Sequence, residues 1–399
     1  MVKLVTTLGI GSVDLYAQKL AQNLDVPKIY TNIYQKTANL FNISFLSAKA
    51  MKAIWEDWRF IRMLNREGSI VHLPNHHLGR HGLFLREPYI ITVHDLIRYL
   101  DLKRYSTFIH RPNLRDKFYL SMDYRGVQKA TKVIAVSQTT KRDLIRHLGI
   151  PEERISVIYE GIDHQVFSPA RYRLVDYPYL LFVGSEQPRK NFVGLLKAFS
   201  SLKKDGKFEK LKLVKVGKAG GAEAEFRKQS LKVIEELGLQ REVIFTDYVA
   251  EEDLPAYYSA AKCFILPSFY EGFGFPPLEA MACGCPVIIS NRSSLPEVAG
   301  EAAIQVNPDN VDEIAAALHE ILGNGELRKE LISRGFQIAA KFTWKRTADQ
   351  TLQVYREVEE SLGVNGELKE LYEIETTKEV KTLPTYEYEC DRCSLRFEI

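Results

Sequence analysis

The chain has few of the features that would place it in a membrane, a secretory pathway or a nucleic-acid complex. Across its 399 residues no apolar run approaches the roughly 20 residues that a membrane-crossing helix needs. Cysteine is scarce, five in all, with Cys263, Cys283 and Cys285 in apolar strand or helix contexts. An odd count in such contexts argues for reduced core residues in a cytoplasmic protein and against a disulfide framework. The first ten residues read as a buried strand and lack the long apolar region and cleavage site of a signal peptide, so a cytoplasmic location is expected. A formal net charge of +3 is too small to imply nucleic acid. Internal repeats and low-complexity segments are absent.

What is present fits an enzyme of two domains. With 45% hydrophobic and 26% charged residues the composition is that of a globular protein, and the length is more than one core comfortably uses. Strand-like runs at Val2–Thr7, Ile70–Leu73, Tyr89–Val93, Lys132–Val136 and Ile155–Tyr159 alternate with helical patterns such as Ser12–Leu24, capped by Ser12, and Gln138–Leu148. The pattern lapses near Asp163–Pro178, and a second series follows at Tyr179–Gly184, Leu211–Gly217, Val243–Thr246, Lys262–Leu266 and Pro286–Ser290. Such alternation predicts an α/β fold of two doubly wound parallel sheets. The expected boundaries are 1–170 for the first domain, 171–343 for the second and 363–399 for a tail.

The most informative stretch runs from Ser268 to Gly284. It places Glu271 and Glu279 around a glycine turn, Gly272-Phe273-Gly274, that leads from a buried strand into a helix. Pro276 and Pro277 suit the first helical turn, Gly284 suits its end, and Glu279 is expected inside the first turn, where the helix dipole favours negative charge. Glycine lets the backbone approach a ligand with its N–H groups free to donate. In Gly184-Ser-Glu-Gln-Pro-Arg189-Lys190-Asn191, two cations converge on a helix start capped by Asn191, where a phosphate would sit, although an isolated Arg-Lys pair is more often a solvated loop. His94 closes a strand-like run, a position that lines the cleft of open α/β sheets, with Asp95 able to cap or orient. Gly9 and Gly11 follow the first strand but make only half of a dinucleotide fingerprint.

Glu271, seven residues and Glu279, with Gly-Phe-Gly-Phe-Pro between them, resemble the signature of family-4 (group 1) retaining glycosyltransferases. The resemblance covers residues 1–362 and is concentrated between 184 and 300. It implies the GT-B arrangement, two facing Rossmann-like domains, with Trp344–Leu362 as the helix that crosses back to the first. Carried over by position, Arg189 and Lys190 become the clamp on a nucleoside diphosphate and Glu279 the ribose partner. Glu271 with the N–H groups of Phe273 and Gly274 becomes the donor-sugar contact, and His94 the active-site histidine. Retention is also implied: the acceptor attacks from the face the diphosphate leaves, and the departing phosphate oxygen takes the acceptor proton. The Pro-Arg-Lys-Asn form with Ser293-Ser-Leu-Pro-Glu297 is similar to mannosyltransferases that build surface polysaccharides, which puts GDP-mannose first among donors and a glycan or lipid-linked group as acceptor. A hydrolase would also pair two carboxylates, but the phosphate cations would have no purpose in one.

No Asp-x-Asp motif occurs, so Arg and Lys are expected to neutralise the leaving group with no cofactor or metal. The alternative reading is a non-catalytic nucleotide-sugar-binding regulator. The basic, aromatic stretch Arg98–Lys132 could meet acidic acceptors or anionic lipid but reads more simply as solvated helix faces. The helix around Trp55 and Trp58 could be core or a peripheral anchor at the inner membrane, with core preferred. The tail from Pro384 resembles the start of FmdB-like zinc ribbons, with Cys390 and Cys393 supplying two of the four ligands zinc usually needs; a fused, truncated reading frame and a chance C-x-x-C are both open.

Overall fold

The structure, a computed structural model, describes residues 1–9, 11–33, 48–66, 68–105, 109–218, 224–363, 387–389 and 396–398. In the first lobe, β1 (Val2–Thr7), β2 (Lys28–Thr31), β3 (Ile70–Leu73), β4 (Tyr89–Val93), β5 (Lys132–Ala135) and β6 (Ile155–Val157) form one sheet. Its order is β2-β1-β3-β4-β5-β6 and every pair is parallel. In the second lobe, β7 (Tyr179–Val183), β8 (Lys212–Val216), β9 (Val243–Asp247), β10 (Cys263–Leu266), β11 (Val287–Ser290) and β12 (Ala303–Val306) pair in parallel in the order β12-β11-β10-β7-β8-β9. The continuous apolar runs explain this choice, because β4 and β10 are buried along their whole length and only a sheet covered on both faces accepts such strands. Cys263, Cys283 and Cys285 are free thiols in the second core, as expected; burial pushes the Cys283 thiol up to about 12.

Strand order reverses between β1 and β3 in one sheet and between β7 and β10 in the other. Ligands of open α/β sheets bind outside the strand carboxyl ends at such points. The lobes are joined by two close-running connections: Ile162 N donates to Phe342 O at 3.2 Å, and a Cβ on Gly161 would lie 2.2 Å from the backbone nitrogen of Trp344. Only glycine permits that approach. The helix Trp344–Ser361 then returns to the first lobe, where Trp344 meets Tyr16 with ring centroids 5.9 Å apart and the Tyr355 hydroxyl lies 2.7 Å from His72 Nδ1.

Several local expectations are corrected. Ser12 is the first residue of its helix, and Gly11 is the cap residue. Asn191 does precede the helix Phe192–Lys203, but in the left-handed conformation, φ 55°, and its amide donates to Pro308 O at 2.6 Å rather than capping. Trp55 and Trp58 are 52% and 53% exposed, so the helix Ala48–Arg66 buries Phe60 and Leu64 and turns its tryptophans to solvent. In the basic stretch, by contrast, Lys103, Arg104, Arg111, Arg125 and Lys129 are exposed, as solvated helix faces require, while Asp101, Asp116 and Asp123 are buried, with Arg98 donating to Asp101 at 2.9 Å. Met1–Tyr355 forms one compact unit and Arg356–Ile399 a second. Within the latter, Glu387–Glu389 pairs antiparallel with Arg396–Glu398, while Cys390 and Cys393 lie outside the described residues.

Candidate active site

A cavity of 380 Å³ lies between the carboxyl ends of the two sheets. Ser12, Lys19, His94 and Glu160 wall it from the first lobe and the linker, and Arg189, Lys190, Glu271, Gly272, Phe273, Gly274 and Glu279 from the second. The sequence-predicted residues thus meet on one cavity, with three exceptions. Gly9 and Gly11 stand at the end of β1 behind Ser12, and Gly9 O accepts from Gln18 Nε2 at 2.8 Å. Gly184 stands behind Lys190, where a Cβ would come within 3.0 Å of the lysine stem.

Two glycines shape the turn after Glu271 for distinct reasons. A Cβ on Gly272 would lie 2.0 Å from His94 O, so its absence lets the lobes touch, and Gly274 has φ 127°, a conformation side chains disfavour. Glu271 lies at the centre of a charged cluster. Its Oε2 accepts from Arg189 Nη1 at 2.6 Å and its Oε1 from Lys190 Nζ at 2.9 Å and Ser268 Oγ at 2.8 Å. Burial pushes this carboxyl up, but the two cations outweigh burial and hold it down at about 2. The backbone is fixed as well, since Ser294 Oγ donates to Glu271 O at 2.9 Å and Glu271 N donates to Ser293 Oγ at 2.8 Å. The loop before Arg189 is steadied by Glu186, which accepts from Arg227 Nε at 2.6 Å and pairs with buried Lys215 at 3.0 Å.

Glu279 departs from expectation. The helix begins at Phe275, so Glu279 opens the second turn rather than sitting in the first, beyond the strongest part of the dipole. Burial raises its carboxyl to about 7, with Glu251 adding to the rise and the Tyr258 hydroxyl, donating at 2.7 Å, opposing it. Of the two carboxylates flanking the turn, one is held ionised and the other is poised near neutrality.

His94 has acceptors on both ring nitrogens, Glu160 Oε1 2.8 Å from Nδ1 and Pro74 O 2.9 Å from Nε2. Acceptors at both nitrogens favour the doubly protonated ring. Burial works against charge on the ring, but Glu160, through its hydrogen bond and charge, together with Pro74 O and Asp95 outweighs it, and the histidine is raised above its ordinary value. A free lone pair for general-base work is not available in this arrangement. Sequence reasoning missed Glu160, Glu251 and Tyr258, which carried no motif, and it took Ser268 only as the start of the Ser268–Gly284 stretch, without its hydrogen bond to Glu271.

Comparison with known proteins assigns the class. Residues 13–166 match the family described as Glycosyltransferase Family 4 and residues 168–338 that described as Glycosyl transferases group 1. The chain is 33% identical over 297 residues to O-antigen chain mannosyltransferase B of Escherichia coli, covering 72% of this chain and 74% of that one. The chain belongs to the group 1, family 4 glycosyltransferases. This glycosyltransferase is also 32% identical over 273 residues to the serotype-specific mannosyltransferase WbdA of Escherichia coli, 65% of its own length and 32% of that longer relative. Its fold is similar to that of HepE from Anabaena, solved with UDP and glucose, at TM-score 0.72 and 17% identity over 89% of this chain and 99% of that one. Sucrose-phosphate synthase from Thermosynechococcus elongatus gives TM-score 0.69 at 22% identity, covering 90% and 99%. These likenesses show the two-lobed GT-B fold. Membership also sets aside the reading of a non-catalytic regulator: the protein is an enzyme.

Proposed function

We propose that this glycosyltransferase moves mannose from GDP-mannose to a glycan or lipid-linked acceptor, with retention and without a metal, in surface polysaccharide synthesis at the cytoplasmic face of a membrane. The observation that carries the reading is the cluster of Arg189, Lys190 and Glu271 on one wall of a cavity whose opposite wall holds His94. The mannosyl donor is supported by the names of the relatives, the O-antigen chain and serotype-specific mannosyltransferases. Residues 171–343 hold the donor in this proposal, and residues 1–170 with the returning helix 344–362 hold the acceptor.

The step breaks the bond from the anomeric carbon to the β-phosphate oxygen and forms one to the acceptor oxygen on the same face. The leaving electron pair goes to the phosphate, where Arg189 and Lys190 meet the developing charge, and that phosphate oxygen takes the acceptor proton. Glu271 orients the sugar hydroxyls while holding the two cations in place. His94, charged through Glu160, adds positive field without abstracting a proton.

Peripheral membrane contact is supported by the exposed pair Trp55 and Trp58, over which Arg59 and Arg62 stack at 5.5 and 5.1 Å. Among the described residues no helix is long and apolar enough to cross a membrane. Thermal-shift titration against GDP-, UDP- and ADP-sugars tests the donor, since a ligand of the native state raises the midpoint. A shift with UDP-glucose and none with GDP-mannose would overturn that assignment. Turnover that EDTA abolishes and Mg²⁺ or Mn²⁺ restores would overturn the metal-free step. Failure of Trp55→Ser/Trp58→Ser to weaken sedimentation with anionic vesicles would remove the membrane contact.

A further inference from the structure

The helix Gln138–Leu148 belongs to the first lobe, yet the acceptors for its first amides come from the second. An α-helix leaves its initial N–H groups without partners inside the helix. Ser137 answers for one of them, its Oγ accepting from Thr140 N at 3.0 Å. Gln138 N and Thr139 N instead donate to Glu297 across the seam, at 2.8 Å to Oε2 and 3.0 Å to Oε1. The Tyr159 hydroxyl, on the connection between the lobes, donates to the same Oε2 at 3.2 Å. A carboxylate at a helix N-terminus gains from both charge-assisted hydrogen bonds and the helix dipole.

Glu297 lies in the short helix Leu295–Ala299, just beyond Ser293 and Ser294, which bind the Glu271 backbone. The same first-lobe helix is held again one turn later, where the Tyr270 hydroxyl donates to Asp143 Oδ2 at 2.5 Å. Tyr270 and Glu271 are adjacent. Both grips therefore start from segments that fix the donor-sugar turn, and both end on one helix of the opposite lobe. The cavity has walls from both lobes, so it is complete only while these grips are made.

We infer that Glu297 is a positioning residue: by capping the helix Gln138–Leu148 it holds the acceptor lobe closed over the donor turn, and it touches no reacting atom itself. Opening the lobes strips Gln138 and Thr139 of their acceptor and returns the carboxylate to water. Closure and helix capping are one event.

The test uses the full chain. In Glu297→Ala, hydrogen exchange at the Gln138 and Thr139 amides should accelerate at least about tenfold, while amides deeper in that helix keep their parental protection. Small-angle scattering should show a larger radius of gyration. Turnover should fall about tenfold while the affinity for GDP, the probe of the donor lobe alone, stays within about twofold. Gln138→Pro supplies the reciprocal variant. Proline is tolerated at a first helical position, and Ser137 before it is already extended at φ −156° and ψ 161°, so the change removes one donor from the other lobe. It should reproduce part of the loss and be less than additive with Glu297→Ala. Parental protection at Gln138 and Thr139 in Glu297→Ala would overturn the proposal, as would full additivity of the two variants. A GDP affinity lost more than tenfold at unchanged radius of gyration would also overturn it, since Glu297 would then act through the donor turn. None of these structural readouts depends on which sugar is transferred.

Discussion

Lys190 Nζ lies 2.9 Å from Glu271 Oε1, and both side chains are buried. The cation assigned to the phosphate and the carboxylate assigned to the sugar are therefore partners before either meets a donor. A lysine on a solvated loop could be removed at the cost of catalysis alone. Here Lys190→Ala also leaves a buried carboxylate short of one partner. Activity should fall about 10²-fold or more, and the fold should lose about 1–3 kcal/mol, less than a fully orphaned charge because Arg189 and Ser268 remain. Steady-state kinetics beside urea denaturation separates the two losses. Parental stability in Lys190→Ala would show that the pair contributes nothing to the fold, and parental turnover in both Lys190→Ala and Arg189→Ala would remove the phosphate assignment.

Glu279, with its carboxyl raised to about 7, changes charge within the working range. Its folded value lies above the unfolded one, so its contribution favours the fold at low pH and is lost as pH rises from about 4.5 through 7. Glu279→Gln should accordingly gain stability relative to the parent between pH 5 and 8. Binding should move the other way. If the ionised carboxylate takes the ribose hydroxyls, the parent's affinity for GDP rises over that interval more steeply than that of Glu279→Gln. The phosphate titration is common to both proteins and cancels in the comparison. Calorimetric profiles of equal slope would mean that Glu279 does not meet the nucleotide.

Glu160 is the strongest of the groups that raise His94. Glu160→Gln should lower the histidine, so that its titration in an NMR experiment falls below the parent's. The sign for stability follows: a raised histidine contributes fully below about pH 6.5 and loses that contribution as pH rises through its folded value. The parent should exceed Glu160→Gln in melting temperature by most at pH 5–6, with the gap closing at higher pH. Activity of Glu160→Gln should fail first on the alkaline side. A histidine titration unchanged by the substitution would break the link between the two residues.

The turn after Glu271 was legible because glycine and proline punctuate it. Gly272 and Gly274 bracket Phe273, Pro276 and Pro277 start the helix, and a buried strand precedes them, so Glu271 could be placed from local pattern alone. Strands β4 and β10 announced themselves in the same way, as unbroken apolar runs. Strand β2 did not, because Lys28-Ile-Tyr-Thr is a sheet edge with Tyr30 exposed, and β12 is four residues with a glutamine among them. Glu160 was illegible for a different reason, and Glu297, though part of the Ser293–Glu297 motif, gave no sign of its contact. Their partners lie 66 and 159 residues away, and no periodicity records a contact at that separation. His94 could be named from its strand, but the largest influence raising it is the distant glutamate.

The segment after Gly363 should be dispensable for transfer. Every residue placed around the cavity falls within Met1–Tyr355, which forms a compact unit of its own, and Trp344 and Tyr355 already fasten the returning helix to the first lobe. The remainder is charged and short of apolar residues, and Cys390 with Cys393 offers two thiolates where a structural zinc usually takes four ligands. Deleting 364–399 should therefore leave turnover within about twofold and the melting temperature within a few degrees, a surface-level effect. The competing possibility is that two chains share one zinc through four thiolates, which would make the oligomer depend on the metal. Light scattering of the full-length protein with and without zinc separates the two. A zinc-dependent dimer, or a large loss of turnover in the shortened chain, would show that the tail has a part in the working enzyme.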